Sequence, residues 1–185
     1  MLVRKVAGKM DFSQPRTIVE YGPGEGVHTR EIVRRMPANS RLLLFELDPE
    51  LAEHLAEQFR EDDRVTVLNA NAVDLSEELA KIGLTHCDYI VSGIPFSILE
   101  KDAKRALLAA THDALAHSPH AAFIIYQVTN ELRERGHCDH FDRAESEYCL
   151  QNLPPMFVTK FYKAKGVNGA SNGNGNGNGV NGHGH

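Results

Sequence analysis

The sequence predicts an α/β fold: a mostly parallel sheet covered by helices on both faces. Three observations predict it. Short apolar runs alternate with amphipathic stretches along most of the chain. A glycine-rich loop, Gly22-Pro23-Gly24-Glu25-Gly26, follows the first apolar run. An acidic residue, Glu46, ends the second. Near-continuous apolar strands separated by helical periodicity are what a sheet buried on both sides requires.

Taken in order, the strand candidates are Thr17–Tyr21, Arg41–Glu46, Val65–Leu68, Tyr89–Ser92 and Ala121–Val128. Helical patterns fill the gaps. Thr29–Met36 places Ile32, Val33 and Met36 on one face, and Asp48–Phe59 places Leu51, Leu55 and Phe59 four residues apart. Asp48 suits the N-cap there, because its side chain can accept from free first-turn N–H groups, and Pro49 suits the first helical position. Leu75–Ile82 and Lys101–Ala116 are the remaining helical stretches. The end changes character: Glu147–Leu150 and Phe157–Tyr162 are strand candidates split by Gln151-Asn152-Leu153-Pro154-Pro155, where two prolines favour a turn.

A chain of 185 residues fits one domain. Residues 166–185 are a Gly/Asn repeat without Lys, Arg, Asp or Glu, and such a stretch cannot bury enough apolar surface to offset its ordering entropy. The expected organisation is a short N-terminal segment at 1–16, one domain at 17–163 and a disordered tail at 164–185. The net charge of −5 lies entirely before residue 166 and argues against a nucleic-acid partner, whose binding rests on phosphate neutralisation. Cys87, Cys138 and Cys149 are odd in number and widely spaced, no signal-peptide pattern opens the chain, and Ala121–Tyr126 is too short to span a bilayer. The expected setting is a reduced cytoplasm.

The loop and Glu46 point to a ligand. A glycine loop between strand and helix lets backbone N–H groups approach a bound group at a positive helix end. An acid at the tip of the next strand suits two ribose hydroxyls. An adenosine-containing cofactor follows. The dinucleotide fingerprint G-x-G-x-x-G is not met, since Val27 stands at its sixth position. The pattern is instead acid-x-G-x-G-x-G with Glu20 first; an acid there repels a pyrophosphate and attracts an ammonium group.

This motif resembles the first motif of class I S-adenosylmethionine-dependent methyltransferases. The resemblance implies a Rossmann-like, seven-stranded, mostly parallel sheet with a C-terminal antiparallel hairpin. It implies that Gly22, Gly24 and Gly26 line the methionine part of S-adenosylmethionine, that Glu20 supports its ammonium, and that Glu46 holds the ribose hydroxyls. Asn71 would face the adenine amine, where family members often carry an acid, with Ala72 and Ser92 beside the cofactor. The set E-Y-G-P-G-E-G, S-G-I-P-F and N-L-P-P-M-F-V resembles bacterial phospholipid N-methyltransferases, which act on phosphatidylethanolamine and ornithine lipids, over about Thr17 to Lys163. More distantly, the chain resembles ribosomal RNA adenine dimethylases. In nucleic-acid amino methyltransferases the fourth strand ends in N/D-P-P-Y or N-L-P-Y; here Gly93 takes the polar position, so no side chain polarises an adenine amine.

The activity implied is methylation of the amine of a polar lipid or small amine, with peripheral contact at the inner membrane face. Leu2, Val3, Val6 and Met10 with Arg4, Lys5 and Lys9 could form a short basic amphipathic turn for that contact. The alternatives are a small-molecule or protein methyltransferase, an RNA adenine methyltransferase and a non-catalytic cofactor-binding module. An amine with a lysine-like pKa is well under ~1% neutral at pH 7, so an apolar pocket or a base must supply the free form. Ile94, Pro95 and Phe96 are the substrate-wall candidates, and Tyr126 and His140 the candidates for base or proton relay. The cluster Gly136-His137-Cys138-Asp139-His140-Phe141-Asp142 has metal-ligand types but no second pair elsewhere, and reads as a solvated loop over the substrate, not a metal site.

Overall fold

Five apolar runs become the parallel part of one sheet: Thr17–Tyr21 (β1), Arg41–Phe45 (β2), Val65–Leu68 (β3), Tyr89–Ser92 (β4) and Ala122–Gln127 (β5). The computed structural model describes residues 1–130, 132 and 141–163. Two further strands, Arg143–Cys149 (β6) and Met156–Tyr162 (β7), complete a seven-stranded sheet in the order β3-β2-β1-β4-β5-β7-β6. β7 runs antiparallel to both β5 and β6. This is the class I methyltransferase arrangement. The segment expected to be a disordered tail, 164–185, lies outside the described residues, as do residues 133–140 with His140 and Cys138.

The helices are Leu2–Ala7 (α1), Val27–Arg35 (α2), Pro49–Gln58 (α3), Leu75–Lys81 (α4) and Lys101–Ala114 (α5). Asp48 caps α3 as its residue type predicts, its Oδ1 accepting from the Glu50 and Leu51 amides at 2.9 and 3.2 Å. The period-2 geometry of the strands splits the core into two layers. Val19, Leu43, Ile90 and Phe123 meet Leu75 and Leu79 of α4 and Leu107 of α5 on one face. On the other, Ile18, Leu44, Val91 and Ile124 meet Val6 of α1, Ile32 of α2 and Leu55 of α3.

Two sequence expectations shift. β6 begins at Arg143, earlier than the expected Glu147, because the charged Arg143, Glu145 and Glu147 alternate along this edge strand and hide the apolar pattern. The N-terminal segment forms α1, but its apolar side does not face outward. Leu2, Val6 and Met10 are buried against the sheet, and Lys5 and Lys9 both pair with Glu147 of β6. The apolar surface is satisfied inside the protein, which removes the basis for a membrane-facing turn there.

Candidate active site

At β1 the chain reverses its direction of growth across the sheet, since β2 and β3 lie on one side and β4 and β5 on the other. The loops leaving the strands' carboxyl ends part there and open a crevice, the general ligand site of open α/β sheets. Gly22, Gly24 and Gly26 form the β1–α2 loop with φ of 59°, 56° and 74°. Gly26 shows why side chains are excluded. A Cβ there would lie 3.0 Å from both Leu55 Cδ2 and Gln58 Nε2 of α3, in a left-handed conformation that already disfavours it. At Gly24 a Cβ would meet nothing within 4 Å, so that glycine borders open space.

Glu20, just before the loop, is 0% exposed. Its Oε2 accepts from Thr29 Oγ1 at 2.7 Å, while Oε1 has no partner among the described residues. Burial pushes its pKa up to about 7, with the Thr29 hydrogen bond opposing. A buried carboxylate oxygen left open beneath a glycine loop fits an incoming ammonium group. Thr29 was not legible as a site residue from its type alone.

Glu46 follows β2 directly and holds the loop in place: Oε2 accepts from the Gly24 amide and Oε1 from the Asp48 amide, each at 3.1 Å. Asn69, also missed, fixes the backbone around Glu46 by donating from Nδ2 to the Glu46 and Leu47 carbonyls. Asn71 Oδ1 accepts from the Val73 amide at 3.2 Å, capping the short turn Ala72–Asp74. A carbonyl oxygen has a second lone pair for another donor. Glu46, Asn71, Ala72, Gly22 and Ile94 line a cavity of about 240 Å³ whose other walls, including Phe45, Leu99 and Leu107, are apolar. The structure thus brings Gly22, Glu46, Asn71, Ala72 and Ile94 together, with Glu20 buried just before the loop.

Across the crevice, Ser92 Oγ accepts from the Ile94 amide, bending the chain after β4. Ile94 faces the cavity and Pro95 is exposed. Phe96 departs from the expected substrate wall: its ring is fully buried against Phe123, 5.9 Å between centroids, because the following turn Phe96–Ile98 directs it into the core. Gln127, the last residue of β5, donates from Nε2 to the Ile94 carbonyl at 3.2 Å. A polar residue closing an apolar run was the available signal for it. Tyr126 stacks on His28 of α2, with centroids 4.1 Å apart and planes at 22°. Burial, reinforced by the Glu20 charge, raises the Tyr126 pKa. This disfavours the ionised form that a base there would need and leaves the neutral hydroxyl that a proton relay uses. His140, the other base candidate, lies outside the described residues. Among the described residues, no group of three His, Cys, Asp or Glu could hold a metal.

Sheet order, glycine loop and open acid define a class I methyltransferase that uses S-adenosylmethionine. The chain belongs to the ribosomal RNA adenine dimethylase family, whose profile matches residues 1–110. It is 28% identical over 154 residues to an ornithine lipid N-methyltransferase from Singulisphaera acidiphila, covering 83% of this chain and 79% of that protein. It is 35% identical over 69 residues to an rRNA adenine N-6-methyltransferase from Aeromicrobium erythreum, 37% of this chain but 19% of that protein. The N-methyltransferase NodS from Bradyrhizobium japonicum WM9, solved with S-adenosyl-L-homocysteine, shares the fold: TM-score 0.68, 11% identity, 88% of this chain and 85% of that one. Because ribosomal RNA methyltransferases stand among the relatives, the expectation against nucleic acid gains no support from them. Among the described residues, no helix is long and apolar enough to cross a membrane.

Proposed function

We propose that this methyltransferase N-methylates the amine of an amino lipid. The observation that carries the reading is the apolar carboxyl edge of the sheet, on which the crevice opens. Leu47 follows β2, Ile98 follows β4, Val128 follows β5, and Leu150 and Leu153 stand in the β6–β7 turn, with exposures from 53% to 96%. The strand directions put all of these loops at the carboxyl edge of the sheet. Neither Gly93–Leu99 nor Leu150–Met156 contains a charged residue. Exposed apolar clusters around a site mark the approach of an apolar partner, and acyl chains beside the target amine meet that requirement. The long overlap with an ornithine lipid N-methyltransferase supports it.

In this reading Glu20 pairs with the cofactor's ammonium, the backbone at Gly22, Gly24 and Gly26 borders its methionine part, and Glu46 accepts from its ribose hydroxyls. Asn71 and Ala72 border the adenine, and Ser92 shapes the turn beside it. The cofactor supplies a methyl group on a sulfonium, so that the amine lone pair forms the N–C bond while the C–S electrons stay on sulfur. The chain's task is positioning and desolvation: Ile94 and the apolar rim exclude water, which favours the neutral amine, and the product's extra proton leaves to solvent.

The test is incubation with methyl-labelled S-adenosylmethionine and, separately, ornithine-lipid vesicles, total RNA and a small-amine pool. Label is expected in the lipid and should fall more than about tenfold in Glu46→Ala, which loses charge-assisted hydrogen bonds to the ribose. Label in RNA or small amines but not in lipid would sink the lipid reading.

A further inference from the structure

The carboxyl end of β4 has no side chain at Gly93, yet the space above it is filled. The register that pairs Ser92 with Ile125 puts Tyr126 beside Gly93 on the neighbouring strand. A Cβ built on Gly93 would lie 2.4 Å from Tyr126 Oη, 2.9 Å from Tyr126 Cζ and 3.3 Å from the Gly22 carbonyl oxygen. The Tyr126 hydroxyl therefore lies in the crevice between the ends of β4 and β1, where a residue-93 side chain would otherwise stand. His28 stacks on the Tyr126 ring and holds it there. His28 is itself 9% exposed, and its Nδ1 has no partner among the described residues. The conformation of Gly93 is not left-handed, so what bars a larger residue is first the tyrosine and, to a lesser degree, the Gly22 carbonyl.

We propose that Tyr126 is a catalytic residue that orients the methyl acceptor, its hydroxyl standing in from β5 for the side chain absent at Gly93 and accepting a hydrogen bond from the acceptor's amine N–H. The inference rests on the amine-methylation reading and adds to it the group that aims the nitrogen. A hydroxyl offers two lone pairs. Accepting one N–H turns the nitrogen lone pair elsewhere, and the position beside Gly22 lets it point along the crevice toward the cofactor's methionine end. Gln127, next in the chain, holds the Ile94 carbonyl and so keeps the β4 loop from moving away from the tyrosine.

The test has two readouts. The first is steric and needs no substrate. Thermal unfolding is followed for Gly93→Ala, Tyr126→Ala and the double variant. Gly93→Ala should lower the midpoint in the wild-type background and should be close to neutral beside Tyr126→Ala; additive effects would overturn the placement of the hydroxyl. The second is kinetic, with ornithine-lipid vesicles as acceptor. Tyr126→Phe should lower kcat roughly tenfold, the worth of one well-placed hydrogen bond. The KM for S-adenosylmethionine should stay within about twofold, since the interaction removed is with the acceptor. Gly93→Asn should be nearly inactive, and Gly93→Asn with Tyr126→Ala should recover activity, because the Asn side chain then has both room and an acceptor oxygen. Wild-type kcat in Tyr126→Phe would overturn the proposal. If the wild type methylates a different amine and leaves ornithine lipid untouched, the lipid reading fails alone, and the same Tyr126→Phe loss is expected on that amine.

Discussion

Glu20 and His28 are buried titratable side chains on the α2 face of the sheet, and burial shifts them in opposite directions. Glu20 rises from 4.5 to about 7, and His28 falls from 6.5 to about 4. For Glu20 the folded pKa lies above the unfolded one, so its contribution to stability is complete below about pH 4.5 and is lost as pH rises through about 7. For His28 the folded pKa is depressed, so its contribution is present above about pH 6.5 and is lost as pH falls through about 4. The two slopes oppose each other, and a difference measurement separates them. Glu20→Gln should gain unfolding midpoint relative to wild type progressively from about pH 5 to 7.5 in the absence of cofactor. Cofactor should reverse the order, because the ammonium group is paired only by the ionised acid. Wild-type affinity for S-adenosylmethionine, measured by calorimetry, should strengthen roughly fivefold between pH 6 and 7, as the ionised fraction of a group with pKa near 7 does. Glu20→Gln should bind more weakly and without that slope. A parallel pH dependence in both proteins would remove Glu20 from the ammonium site.

α3 carries the glycine loop from behind, through Leu55 and Gln58 against Gly26. Weakening the helix at its start and crowding it at the loop should therefore have different consequences. Asp48→Ala removes a cap worth about 1 kcal/mol, a drop of some 2–4 °C in a protein of this size, while the loop remains seated. Gly26→Ala meets a left-handed φ of 74° and side chains at 3.0 Å, and should cost on the order of 2 kcal/mol together with a loss of cofactor affinity. Equal affinities in the two variants would show that the loop is not held by α3. The cap at Asp48, the loop and the bounds of β1, β3 and β4 were legible because local chemistry writes them: a capping acid, glycines at a strand end, and polar residues closing apolar runs. What was not legible depends on register. Nothing near Gly93 in sequence announces Tyr126, 33 residues on; only the parallel pairing of β4 with β5 joins them. Phe96 and the apolar side of α1 were misjudged for the same reason, since an apolar residue near a site reads alike whether it faces the ligand or the core.

Across the whole molecule, apolar exposure is concentrated at one end. Of the nine large hydrophobic residues most exposed among the described residues, Val27, Leu47, Ile98, Val128, Tyr148, Leu150 and Leu153 belong to the carboxyl edge, leaving Met1 and Ile82 elsewhere. β6 and β7 extend that edge beyond the cofactor crevice, and their connecting turn places Leu150 and Leu153 at its far end. A bilayer meeting this edge would cover the rim while the amine of a lipid headgroup reached the crevice, whereas α1, with its apolar side buried, offers no comparable surface. The double variant Leu150→Asp with Leu153→Asp isolates this surface. These side chains are 72% and 96% exposed, so replacing them should change stability by no more than about 0.5 kcal/mol and leave S-adenosylmethionine affinity as it is. Burying two leucines in a lipid interface is worth about 3 kcal/mol, so co-sedimentation with ornithine-lipid vesicles should weaken roughly a hundredfold. If the variant still binds vesicles like wild type, this edge does not meet the bilayer; if wild type does not bind them either, the apolar edge loses its reading as a bilayer surface.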